Sequence, residues 1–203
     1  MTGVDDVAAI IADRALPTGR TLVGLVGPPG AGKSTVAAEL AQRLSAVVVP
    51  MDGWHLPLSE VQAMGRADRR GAPDTFDADG FVEAVRALRA ADTGMRVPDF
   101  SRITHDPVVD AIAVPVDTTL VIVEGNYLLL EDSPWDELAG LFDLTIYVDA
   151  DDAQREQGLL DRHVAGGMTP SAAVRFVGDS DGRNAELVRA TKPRADIVLT
   201  NRW

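Results

Sequence analysis

Cysteine is absent from the 203 residues, which excludes disulfides, thiolate nucleophiles and cysteine-rich zinc sites together. Histidine occurs only at His55, His105 and His163, too scattered to read as a metal-binding motif. Lysine is nearly missing: Lys33 and Lys192 stand against 17 arginines. Cationic excess is missing too, and a net charge of −12 argues against nucleic acid or an anionic membrane as partner. No apolar run reaches the roughly 20 residues that cross a bilayer. The start, Met1-Thr2-Gly3-Val4-Asp5-Asp6, lacks the cationic and apolar stretches of a secretory leader, so the cytoplasm is the expected compartment. No repeat, low-complexity tract or linker divides the chain, and residues 1–203 are expected to form one domain.

Against that background, Gly27-Pro28-Pro29-Gly30-Ala31-Gly32-Lys33-Ser34-Thr35 stands out. Gly, four residues, then Gly-Lys-Ser/Thr is the spacing of a phosphate-binding loop. Small residues let successive backbone N–H groups turn inward around an anionic oxygen. A following helix aims its partial positive end at the same anion. Lys33, in a chain with one other lysine, brings a full charge to the outer phosphates, and the Ser34 hydroxyl is suited to Mg2+. The context has the required order. Thr21 to Val26 reads as a buried strand before the loop, and Val36, Ala37, Leu40, Ala41 and Leu44 have helical spacing after it.

Elsewhere, Val4, Val7, Ala8, Ile11 and Ala15 mark a first amphipathic helix, and Ala46 to Met51 a second buried strand. Residues 52–79 and 97–117 lack clear periodicity and are expected to be irregular, with a helix around Phe81, Val82, Val85 and Leu88 between them. Further strands are expected over Leu120–Glu124, Leu144–Val148 and Ala195–Leu199. A helix capped by Asp151 or Asp152 should run to about Ala165, break at Gly166-Gly167, and restart from Pro170 to Arg189. Apolar strands alternating with amphipathic helices predict an α/β fold with a mostly parallel central sheet covered on both faces.

Ligands in such a sheet bind beyond the carboxyl ends of its strands. Asp52 follows the second strand, and Glu124 ends the third apolar strand. Near a bound triphosphate, one carboxylate can serve Mg2+ and the other can take a proton from an attacking hydroxyl. Asp52 as a turn residue in Asp-Gly, and Glu124 as a solvated strand end, are the competing structural readings.

With these pieces in place the chain resembles the P-loop kinases related to uridine kinase, pantothenate kinase and phosphoribulokinase. The likeness rests on Gly27–Thr35, Met51–His55, Arg69–Asp77, Pro98–Arg102, Val121–Gly125 and Ala190–Ile197, in that order. It implies a three-layer P-loop fold with a helical lid near 155–170, and ATP with Mg2+ as cofactors. By resemblance Asp52 is the general base, Glu124 assists the metal with Ser34, and Thr191-Lys192 flank the nucleotide base. Lid arginines at Arg155 and Arg162 would lie over the transferring phosphate, with a solvated arginine face as the alternative. The implied acceptor side draws on Asp52, His55, Asp77, Phe100, Arg102, His105 and Tyr127, although Asp77 equally reads as a helix cap. His163 reads as a local packing or capping residue. The implied partner is a hydroxyl-bearing small molecule, whether sugar, nucleoside or pantothenate-like, and a homodimer is left open. The rival reading is a nucleotide-dependent switch without an acceptor. No Asn-Lys-x-Asp tetrapeptide is present to select guanine.

Overall fold

Five apolar strands alternate their faces with period two, and that alternation decides the layering. In the computed structural model, which describes residues 3–90 and 92–201, β1 (Thr21–Val26) is central and buried throughout. Its neighbours are β5 (Leu120–Gly125) on one side and β6 (Leu144–Asp149) on the other. The edges are β2 (Val47–Pro50) beside β5 and β7 (Ile197–Thr200) beside β6. All these pairings are parallel, giving a five-stranded sheet of order β2-β5-β1-β6-β7.

Leu22, Val26, Val121, Val123 and Tyr147 point to one face, where α4 (Ala78–Ala90) adds Phe81, Val82, Val85 and Leu88. Val23, Leu25, Ile122, Ile146 and Val148 point to the other, covered by α1 (Val4–Arg14) and α2 (Lys33–Leu44). Each burial removes apolar area from water at about 25 cal/mol per Å2, so both faces of the sheet must be covered. Met1 and Thr2, part of the leader argument, lie outside the described residues. No helix among the described residues is long and apolar enough to cross a membrane.

Two expectations about irregular segments need correction. Residues 97–117 largely form an antiparallel ribbon, β3 (Met95–Ser101) with β4 (Asp106–Val114), bulged between Val97 and Asp99. Pro98 and Pro107 interrupt the pattern, and adjacent Val108 and Val109 are both exposed, so no clean alternation marks these strands. Val97 and Val114 anchor the ribbon to the core. Gly53 allows its approach: a Cβ there would lie 2.5 Å from the Pro98 carbonyl oxygen. Residues 52–79 hold short pieces, including α3 (Leu58–Ala63), which buries only Val61.

The C-terminal helices also differ from expectation. α5 (Asp152–Ala165) has Asp151 as its cap, Oδ1 accepting the Gln154 N–H at 3.1 Å. The helix expected from Pro170 to Arg189 is instead α6 (Pro170–Phe176), a π-helical turn at Val177–Asp181, and α7 (Gly182–Ala190). Hydrophobic spacing alone does not register one extra residue per turn.

Candidate active site

The carboxyl ends of β2 and β5, the first turns of α2 and the β3–β4 ribbon line one cavity of about 360 Å3. Its walls include Ser34, Asp52, Asp99, Phe100, Arg102 and Glu124. This size falls in the lower part of the range typical of small-molecule sites.

On the donor side the loop is shaped by its glycines. Gly27 passes so close to β6 that a Cβ would sit 2.5 Å from the Val148 carbonyl oxygen. Gly30 and Gly32 have φ of +80° and +82°, and Gly32 is the N-cap of α2. The first-turn N–H groups of α2 have no partners within the helix and are available to an anion. Lys33 is buried and donates to the carbonyls of Gly27 (2.9 Å) and Pro28 (3.1 Å) and to Asn126 Oδ1 (2.6 Å). Burial holds its ammonium below the ordinary lysine pKa, against the opposing charges of Glu124 and Asp52.

Ser34 Oγ donates to Glu124 Oε1 at 2.7 Å. Burial pushes Glu124 above the usual carboxylate range; Lys33 pulls it back, and Asp52 adds to the rise. Among the described residues no three His, Cys, Asp or Glu side chains gather as a metal cage. A cation arriving with a triphosphate needs only one or two protein oxygens, and the Ser34–Glu124 pair fits that requirement.

The acceptor side is assembled from more distant segments. Asp52 sits in a 3-10 turn just after β2, and Phe100, Asp99 and Arg102 come from the β3–β4 ribbon. His55 Nδ1 donates to the Asp52 carbonyl oxygen at 2.8 Å, and its ring packs 4.0 Å from Phe76 and 4.7 Å from Phe100, centroid to centroid. Burial lowers the His55 pKa, against the charge and carbonyl of Asp52. Arg70 lies 5.7 Å over the Phe100 ring, with Nη2 donating to Asp106 Oδ1 at 3.2 Å. The cavity thus brings together Ser34, Asp52, Phe100, Arg102 and Glu124, with His55 stacked against Phe100.

Three acceptor candidates lie elsewhere. Tyr127 is fully buried in the aromatic cluster with Phe76 and Trp135, and its hydroxyl donates to the Gly71 carbonyl. Burial raises its pKa. Asp77 is exposed and caps α4, Oδ1 accepting the Gly80 N–H at 3.0 Å. His105 occupies the ribbon's turn at φ +58°, and its ring reaches toward Gly166 at the end of α5. For Asp77 this is the helix-cap reading that the sequence also offered, while Tyr127 and His105 take their directions from the surrounding elements.

Around the loop, two residues escaped the sequence reading. Asn126 holds Lys33, and Asn201 Nδ2 donates to the Ala31 carbonyl at 3.0 Å. Neutral amides carry little signal without their partners. Thr191 Oγ1 donates to Val188 O at 2.7 Å, and Lys192 pairs with Asp149 at 2.7 Å beyond β6, the strand beside β1.

Arg155 corrects the lid expectation. It is 2% exposed, packs against Gly30, and donates through Nη1 to the Pro29 carbonyl at 3.1 Å. It braces the loop from behind instead of reaching over a phosphate. Arg162, two turns on, is exposed. Partial desolvation and then Arg102 hold its guanidinium below the ordinary arginine pKa, while Asp181 and Asp52 oppose them.

A family model described as an AAA domain matches residues 22–105, from β1 to the ribbon's turn. The chain is 39% identical to Uncharacterized protein YggC of Escherichia coli K12, over 90% of this chain and 78% of that one. It is 34% identical to "Putative uridine kinase C227.14" of Schizosaccharomyces pombe, over 89% and 83%. Its fold matches a "putative fructose transport system kinase" from Silicibacter sp. TM1040 with a TM-score of 0.89 and 33% identity, covering 98% and 99% of the two chains.

Proposed function

The chain belongs to the P-loop kinases that include uridine kinase, pantothenate kinase and phosphoribulokinase, which are phosphotransferases to alcohol groups, and from that premise we propose that it phosphorylates a compact polyol with ATP and Mg2+. The observation that carries this reading is one cavity lined together by Asp52, Ser34 and Glu124. A kinase needs that pairing of a proton acceptor with a metal-side carboxylate; a switch without an acceptor does not.

Asp52 is the general base, taking the proton of the attacking hydroxyl. Lys33 exchanges its contacts with Gly27, Pro28 and Asn126 for the outer phosphates. Ser34 and Glu124 would hold Mg2+, which would neutralise phosphate charge. Arg162 supports negative charge on the transferring group from α5, within a lid near residues 155–170 of a single domain. The loop's backbone N–H groups bind the nucleotide phosphates, and Thr191 and Lys192 flank its base.

The acceptor wall supports a polyol over a nucleoside. Asp52, Asp99 and Arg102 supply hydrogen-bonding groups, and only Phe100 offers an aromatic face. The similar structure described as a putative fructose transport system kinase makes fructose the first acceptor to try.

The experiment is ADP release with ATP and Mg2+ against fructose, other sugars, uridine, cytidine and pantothenate. A rise with one sugar supports the proposal; a rise with uridine or pantothenate alone overturns the polyol assignment. Equal slow release in every tube favours the switch. Asp52→Asn should lower kcat by about 10²–10⁴-fold with ATP binding retained; unchanged kcat removes Asp52 as the base.

A further inference from the structure

The π-helical turn at Val177–Asp181 interrupts what hydrophobic spacing reads as one helix. Such turns are rare and occur frequently at functional sites. This one buries polar groups at some cost. Asp181 is 7% exposed, and Ser180 Oγ is buried with no hydrogen-bond partner among the described residues. Asp181 Oδ2 meets His163 Nε2 at 2.8 Å, and the His163 ring packs edge-on to Phe176 at 5.0 Å.

His163 follows Arg162 on α5. Leu159, fully buried, lies four residues before the partly buried His163, so these two share the helix side turned toward the protein, while Arg162 beside them is exposed. A carboxylate that grips His163 therefore sets the rotation of α5 at the position from which Arg162 extends. Asp181 also attracts the Arg162 guanidinium and opposes its repulsion from Arg102. Without that pull, like charge would push Arg162 away from Arg102, which lines the cavity.

We propose that Asp181 is a positioning residue for phosphoryl transfer, acting through His163 and the last turns of α5 to hold Arg162 over the reacting phosphate. This rests on the kinase reading and on the role of Arg162 within it. The inference concerns orientation, so its effect belongs in kcat and not in ground-state binding. A displacement of about 1 Å at a charge-stabilising group can cost ~10²-fold in rate.

The test is a double-mutant cycle on the full chain, read as kcat and both KM values with the best acceptor. Arg162→Ala should lower kcat by about 10³-fold. Asp181→Asn, which keeps the side-chain shape, should lower kcat ~10–100-fold with both KM values changed less than about threefold. Combining the two should be no slower than Arg162→Ala alone, because a misplaced arginine that has been removed costs nothing more. His163→Gln, which retains an N–H donor toward Asp181, should recover most of the kcat lost in His163→Ala. Losses that multiply in the double variant overturn the inference, as does an Asp181→Asn enzyme with normal kcat beside a crippled Arg162→Ala. If Arg162→Ala itself is fully active, the role of Arg162 in the proposed mechanism fails instead. A thermal melt accompanies each variant. Asp181→Asn losing kcat only in proportion to its folded fraction counts against positioning.

Discussion

The two halves of the candidate site are built differently. The donor half is local: nine consecutive residues, Gly27 to Thr35, supply the loop, the lysine and the hydroxyl. Its supports then lock it in place, with Arg155 on Pro29, Asn201 on Ala31 and Asn126 on Lys33. The acceptor half is composite: Asp52 comes from the turn after β2, Phe100 and Arg102 from the ribbon, and His55 stacks behind. A local site is fixed by short-range backbone geometry. A composite one depends on how separately folded pieces dock, and docking leaves room for specificity to vary.

Disrupting the donor half should have the largest effect. Lys33→Ala should reduce kcat/KM by about 10³-fold with any acceptor, because the charge serves the phosphates whatever molecule attacks. A loss confined to one acceptor in steady-state assays would contradict the division into halves.

An intermediate effect is expected on the acceptor side. Phe100→Ala should raise the acceptor KM by roughly 10-fold while the KM for ATP stays within about twofold, since one apolar face contributes ~1–3 kcal/mol of discrimination. Equal changes in both KM values would mean that the ribbon also shapes the nucleotide site.

The smallest effect is thermodynamic and lies beneath the acceptor shelf. Folded His55 binds a proton more weakly than the ordinary histidine value of 6.5, because burial disfavours the charged ring. The unfolded chain therefore takes up that proton first, and the contribution present above pH ~6.5 is lost as pH falls toward the depressed folded pKa. Melting temperatures of the wild type between pH 7 and 5 should fall more steeply than those of His55→Gln. Parallel slopes would show that His55 is not the group responsible.

The parallel sheet was legible in the sequence because runs such as Leu120–Glu124 and Leu144–Val148 are apolar on both faces, as strands sandwiched between helices must be. The phosphate loop was legible because its chemistry needs contiguous residues. The β3–β4 ribbon was not: it packs through Val97 and Val114, while its prolines and exposed valines break the alternation. Arg155 and Arg162 had the same helical spacing in sequence, yet one is sealed against the loop and the other reaches solvent.

The sequence by itself determined the layering of the sheet, the phosphate-binding loop and the strand ends bearing Asp52 and Glu124. These follow from periodicity and contiguous motifs, which are properties of the chain over a few residues. Only the tertiary structure decided that Tyr127 belongs to the core, that Asp77 caps a helix, and that Asn126, Asn201 and Arg155 support the loop. Each of those roles depends on a partner's position: Gly80 lies three residues away, whereas Pro29 is 126 residues from Arg155 and Ala31 is 170 from Asn201. Burial and hydrogen bonding are pairwise quantities, and for distant residues the pair exists only once the chain has folded.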